Sequence, residues 1–327
     1  MYFKHGGDIT NFAKKIGCSI DDIIDLSSNI NFIKPRVDID IQNISSYPNY
    51  DILYKTIAKE YGVNIDELEL FNGATSAIYS LFREFNLDRC TLFAPIYLEY
   101  KKASLINGYS IEYINRLLNM KYNITPNSLV IFVNPSTPDG KFYDIEPIIK
   151  ECRDKNCTLL IDESFLDFTT FQSAVKYIKS YDRLYILKSM TKFYGSAGIR
   201  VGGVISNSEN ISKLREKEPI WKISEFDSRY IIESLKDKTF KKRVRDSNNR
   251  DKLIEVLKQS RYINKIYTSS VNFLLVKLNI DAKEFQKLLI PYKIMVRDCS
   301  NFDFLDSSFV RIAVKDDLSI ERLREAI

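Results

Sequence analysis

Lys192 ends the run Ser189-Met190-Thr191-Lys192, and Arg200 follows it by eight residues. Most lysines are solvated surface charges. This one stands just past the apolar run LYILK (184–188), among the small and aromatic residues of SMTKFYGSAGIR. A desolvated lysine loses its proton more readily, and its neutral amine can form an imine with a carbonyl compound. A fixed arginine close by offers a planar fork of donors that suits a phosphate. The segment reads as an amine nucleophile beside an anion site.

Other reactive side chains are sparse. The lone His5 and the five cysteines Cys18, Cys90, Cys152, Cys157 and Cys299 include no C-x-x-C pair. Neither a metal site nor a disulfide frame is expected, and reduced thiols point to the cytoplasm. The 48 basic and 43 acidic residues leave a net charge of +5, too mild to imply nucleic acid. The basic cluster from Lys236 to Lys252 is interleaved with Asp237, Asp246 and Asp251, as on a solvated helix face. No run of eighteen apolar residues predicts a membrane span, and MYFKHGGDITNF lacks a signal-peptide apolar core.

The elements that must position Lys192 alternate. Leu53, Ile57 and Tyr61 recur at helical spacing before Gly62, a natural stop. Ala77, Ile78, Leu81, Phe82 and Phe85 mark a second helix just after NGAT, and Ile145, Ile148, Ile149 and Cys152 a third. Short apolar runs lie at 90–94, 128–133, 158–162, 184–188 and 201–206. Buried strands alternating with helices predict an α/β domain with a mainly parallel central sheet, whose ligands gather at the strands' carboxyl ends. After residue 210 a polar helical stretch (227–260) precedes strands at 272–278, 293–297 and 309–314, with helices at 281–289 and 318–327. The expected organisation is an N-terminal arm (1–45), a large domain (46–210) and a smaller α/β C-terminal domain (211–327).

The S-x-x-K pattern with its following arginine resembles that of fold-type I enzymes that use pyridoxal 5′-phosphate (PLP). The resemblance makes Lys192 the lysine that bonds the cofactor, with Ser189 and Arg200 at its phosphate. Such a cofactor needs a carboxylate facing its ring nitrogen, and Asp162 at the tip of TLLID is the candidate, ahead of Glu163. Gly73, Ala74 and Thr75 open a helix whose N–H groups suit the phosphate. Tyr97, just past CTLFA, is placed to stack on the ring. Plainer readings exist: Asp162 as a turn aspartate and Tyr97 as a core residue.

Within that superfamily the chain is most similar to L-threonine-O-3-phosphate decarboxylases of cobalamin biosynthesis, themselves similar to histidinol-phosphate aminotransferases. HGGDI (5–9), LSSNIN (26–31), DESFLDF (162–168) and PIWKIS (219–224) carry the likeness. It implies that His5, Gly6, Asn31, Arg297 and Arg311 bind a small phosphorylated amino acid, threonine phosphate or serine phosphate. Ordinary strand arginines, exposed and paired with carboxylates, are the plain alternative for Arg297 and Arg311. The likeness also implies a homodimer in which Tyr47 of SSYPNYD reaches the partner's phosphate site. Phe165 stands where aminotransferases usually carry tyrosine. In NPSTPDG (134–140), Thr137 replaces the asparagine that bonds the cofactor's phenolic oxygen, leaving Thr137 or Asn134 to serve there. The expected reaction is decarboxylation; the alternative is histidinol-phosphate-type amino transfer.

Overall fold

The computed structural model describes residues 6–40, 45–118, 120 and 123–327. In chain order its strands are β1 (Ile24–Asp25), β2 (Leu68–Asn72), β3 (Arg89–Ala94), β4 (Ser110–Asn115), β5 (Leu129–Val133), β6 (Thr158–Asp162), β7 (Leu184–Ser189) and β8 (Val201–Ile205). They continue with β9 (Ile263–Ile266), β10 (Phe273–Leu278), β11 (Ile294–Met295), β12 (Arg297–Asp298) and β13 (Phe309–Ala313).

A seven-stranded sheet in the order β2-β8-β7-β6-β5-β3-β4 forms the large domain. Strands β4, β3, β5, β6 and β7 run parallel, while β8 runs antiparallel to both β7 and β2. Strands β5 to β8 are buried throughout, which explains their unbroken apolar runs. Apolar clusters cover the sheet on each side, one around Ile57, Ile148 and Phe193, the other around Ile78, Leu81 and Tyr100. Gly62, at φ +66°, closes the helix Asp51–Tyr61 as its position after the apolar stripe predicts.

Two strands escape the hydrophobic pattern. β4 lies at the sheet edge, half-exposed. β2 reads Leu-Glu-Leu-Phe-Asn, and its Glu69 is only 2% exposed. Tyr54 donates to that carboxylate at 3.0 Å, Arg215 at 2.8 Å and Lys222 at 2.7 Å. A carboxylate surrounded in this way is tolerated inside a sheet, where an unpaired one is not.

The smaller domain is a four-stranded antiparallel sheet, β12-β13-β10-β9, over a core of Leu253, Phe285 and Ile320. The expected polar helical stretch divides into helices Glu225–Lys236, Phe240–Asp246 and Arg250–Gln259. The strand expected over 293–297 is two: β11 pairs with β1 of the N-terminal arm, and β12 pairs with β13. That break turns Arg297 toward the large domain. Among the described residues no helix is long and apolar enough to cross a membrane.

Candidate active site

The carboxyl ends of β6 and β7 carry Asp162, opposite Leu187, and Ser189 two residues further along, and the short helix Met190–Phe193 carries Lys192 just beyond. Chain reversal through residues 194–200 sets Arg200 at the start of β8, beside β2 and the helix Gly73–Phe85. Gly73 adopts φ +77°, and a Cβ there would fall 2.4 Å from Nη2 of Arg200. Only glycine lets that guanidinium lie against the first turn of the helix, where free N–H groups also point.

These elements enclose a cavity of about 230 Å³ at the domain junction. Ala74, Thr75, Tyr97, Asp162, Ser189, Lys192 and Arg200 line it from the large domain, and Thr137 from the loop after β5. Gly6 of the arm and Arg297 and Arg311 of the small domain close it. A Cβ on Gly6 would come within 2.2 Å of the Ser27 carbonyl oxygen, so the arm packs there only as glycine.

Burial, aided by the charges of Arg311 and Arg200 and opposed by Asp162, lowers the Lys192 pKa from 10.5 to about 8. Asp162 is 4% exposed; its Oδ1 accepts from the Ser164 N–H at 2.8 Å and its Oδ2 from the Tyr100 hydroxyl at 2.8 Å. It is a turn aspartate and a buried cavity carboxylate at once. Glu163 turns away into a buried ion pair with Lys188 and accepts from the Ala174 N–H at 2.7 Å. The Tyr97 hydroxyl lies 3.5 Å from Thr75 Oγ1.

Arg297 and Arg311 are buried rather than exposed, because their strands face the domain junction. Arg311 donates from Nη2 to the Ser27 carbonyl oxygen at 3.0 Å and from Nη1 to Thr137 Oγ1 at 3.2 Å, while its buried Nε has no partner among the described residues. Burial lowers its pKa to about 10.

Two residues expected in this cavity, Asn31 and Asn134, fall elsewhere. The Asn31 amide donates to the Phe193 carbonyl oxygen at 2.8 Å, and its oxygen accepts from the Ile33 N–H, so the side chain is spent bracing the arm. Asn29, two residues earlier, lines the cavity instead. The Asn134 side chain is engaged at both ends by the Tyr143 backbone, at 2.9 and 3.1 Å, and does not reach the cavity. Tyr47, expected at the partner's site, is 72% exposed, stacks on Trp221 with centroids 4.0 Å apart and does not line this chain's own cavity. His5 lies outside the described residues. Tyr100, Asn29 and Phe302 were not legible as site residues; Tyr100 had a weak signal, standing one helical turn after Tyr97.

A lysine of lowered proton affinity, a buried carboxylate and an arginine against a helix N-terminus converge on one cavity. That fold and site define a fold-type I PLP-dependent enzyme. The profile of the family described as aminotransferase class I and II matches residues 22–327, and the chain belongs to that family, with PLP as its cofactor. It is 30% identical, over 95% of its length, to the adenosylcobalamin biosynthesis bifunctional protein CobDQ of Leptospira interrogans, of which it spans 39%. It is 29% identical to the histidinol-phosphate aminotransferase of Methanocaldococcus jannaschii, covering 95% of this chain and 90% of that one. The crystal structure of the histidinol-phosphate aminotransferase from Clostridium acetobutylicum superposes with a TM-score of 0.82 at 29% identity, over 93% of this chain and 98% of the other.

The residues present fit the cofactor. The cavity holds a lysine without an ion pair among the described residues, a ready carboxylate at 4% exposure and a glycine cradle filled by Arg200.

Proposed function

We propose that this protein transfers the amino group of a phosphorylated amine to a keto acid, in the manner of histidinol-phosphate aminotransferases. The observation that carries this reading is the near full-length likeness to that enzyme in both sequence and structure. It takes precedence over the decarboxylation expected from the motifs.

When bound, the cofactor supplies an electron sink for charge developing at the substrate's α-carbon. Asp162, held by Tyr100 and Ser164, would face the ring nitrogen and hold a proton there. Ser189, Thr75 and Arg200, with the N–H groups of Gly73 and Ala74, hold the cofactor's phosphate. Arg311 would grip the substrate carboxylate and Arg297 its phosphate, which would fix how the α-carbon is presented in the cavity. Nζ of Lys192 would then be the base that takes the α-proton and holds it for return.

Decarboxylation of O-phosphothreonine or O-phosphoserine is the second reading. Phe165 favours it: its ring lies 5.4 Å from Lys192 Nζ, where aminotransferases usually present a tyrosine hydroxyl. A homodimer belongs to both readings. Tyr47, Ile52, Ile220, Trp221 and Phe226 are all more than 45% exposed, an apolar surface suited to a second copy of the chain.

Incubating the PLP-loaded protein with histidinol phosphate and 2-oxoglutarate tests the reading: glutamate should form. Carbon dioxide from O-phosphothreonine without any keto acid, and no glutamate, would instead establish the second. A protein that stays colourless with PLP defeats both.

A further inference from the structure

The basic cluster from Lys236 to Lys252 is mostly neutralised. Lys236 pairs with Glu233, Lys241 with Glu60, Lys242 with Asp246 and Arg243 with Asp237, while Lys252 reaches both Asp317 and Glu321. Arg245 and Arg250 form no ion pair among the described residues, and both line a second cavity of about 340 Å³. It shares no lining residue with the cavity at Lys192, and no carboxylate of the described residues lines it. Arg250 also opens the helix Arg250–Gln259, where a cation faces the positive end of the helix dipole. Two guanidinium groups so placed build a positive potential that an anion would relieve.

The same lining has an apolar part. Phe168 and Phe193 pack edge to face with centroids 5.1 Å apart, while Phe171 is 46% exposed and stacks on Phe142 at 4.0 Å. That stack already fixes the Phe171 ring, so a ligand can cover it without the cost of ordering it. Ser269 adds a hydroxyl: its Oγ accepts from the Val271 N–H at 3.2 Å, which leaves its hydrogen to donate. We propose that this second cavity binds a small phosphate monoester, with the phosphate on the Arg245 and Arg250 forks and the organic body against the phenylalanine rings. A guanidinium fork matches a pair of phosphate oxygens. An inorganic phosphate answers the charges and leaves the rings bare, and a neutral aromatic molecule does the reverse. The cavity has the size of a small-molecule site. The proposal uses neither the cofactor nor the substrate arginines Arg297 and Arg311.

The test is isothermal titration of the full-length, PLP-loaded protein, freed of excess PLP, with phenyl phosphate, which carries no amine to react with the cofactor. Binding should persist in Arg297→Ala, which removes the phosphate grip of the other cavity. In Arg245→Gln/Arg250→Gln it should weaken about a hundredfold, one charge-assisted contact being lost at each arginine. Arg245→Gln alone, at an exposed position, should cost about tenfold and serves if the pair does not fold. Inorganic phosphate should bind about tenfold more weakly than the ester, for want of the buried ring, and phenol should not displace the ester. No binding of phenyl phosphate at millimolar concentration would overturn the proposal. So would an affinity unchanged in the glutamine variants, loss of all binding in Arg297→Ala, or inorganic phosphate or phenol matching the ester. None of these results touches the PLP reading, which the yellow colour of the same preparation reports separately.

Discussion

Arg297 and Arg311 stand directly opposite each other across the antiparallel β12–β13 pair, and both are buried, at 4% and 7% exposure. Like charges so placed repel. The arrangement calls for anions between the two guanidinium forks, and a substrate with a carboxylate and a phosphate supplies them. Phe273 lies 5.1 Å from the Arg311 guanidinium and Phe302 5.5 Å from that of Arg297, so each is backed by an aromatic ring.

Arg311→Ala should leave the PLP-loaded protein yellow and reduce kcat/KM about a hundredfold. That corresponds to about 3 kcal/mol for a lost charge-assisted contact. If Arg297→Ala and Arg311→Ala both turn over normally, the anion pocket lies elsewhere.

Tyr100→Phe removes the donor at Asp162 Oδ2 without altering the ring packing. The carboxylate keeps the Ser164 N–H but loses one of its two bonds, so PLP should bind about tenfold more weakly. Equilibrium titration of the PLP-free protein with PLP measures this, and unchanged affinity would exclude Tyr100 from the support of Asp162.

The Lys192 pKa makes a signed prediction for the PLP-free protein. Below pH 8 folded and unfolded chains are both protonated there, and the folded one bears the full cost of a buried ammonium. Between about 8 and 10.5 only the unfolded chain keeps the proton, and the cost fades as pH rises. Lys192→Met should therefore raise Tm at pH 7, by about 2–5 °C, and the gain should diminish toward pH 10.5. A gain independent of pH would contradict the lowered pKa.

Gly73→Ala places a Cβ 2.4 Å from the Arg200 guanidinium on a backbone at φ +77°. The strain should cost about 1–3 kcal/mol and displace Arg200, so thermal stability and phosphate affinity fall together. Isothermal titration with PLP and a melting curve on the same preparation read both.

Trp221→Glu adds a charge to the exposed Tyr47–Trp221 stack. Sedimentation equilibrium should show the unaltered protein as a dimer and the variant as a monomer. A monomeric unaltered protein would remove the shared-site expectation for Tyr47.

The sequence by itself determined the α/β alternation, the strand ends that carry Asp162 and Ser189, and Lys192 between Ser189 and Arg200. These rest on local rules: a fully buried strand must read as an apolar run, and reactive groups follow where such a run stops. Only the tertiary structure decided the rest. β2 is a buried edge strand because Arg215 and Lys222, distant in sequence, and Tyr54 neutralise and bond Glu69. Asn134 and Asn31 leave the site because nearby backbone groups claim their amides first. The segment 293–297 splits because its two halves pair with different strands, and Arg297 thereby comes to face Arg311. Thr137 meets Arg311 across 174 residues of chain, a contact that periodicity and spacing cannot encode because it depends on how two domains close on each other.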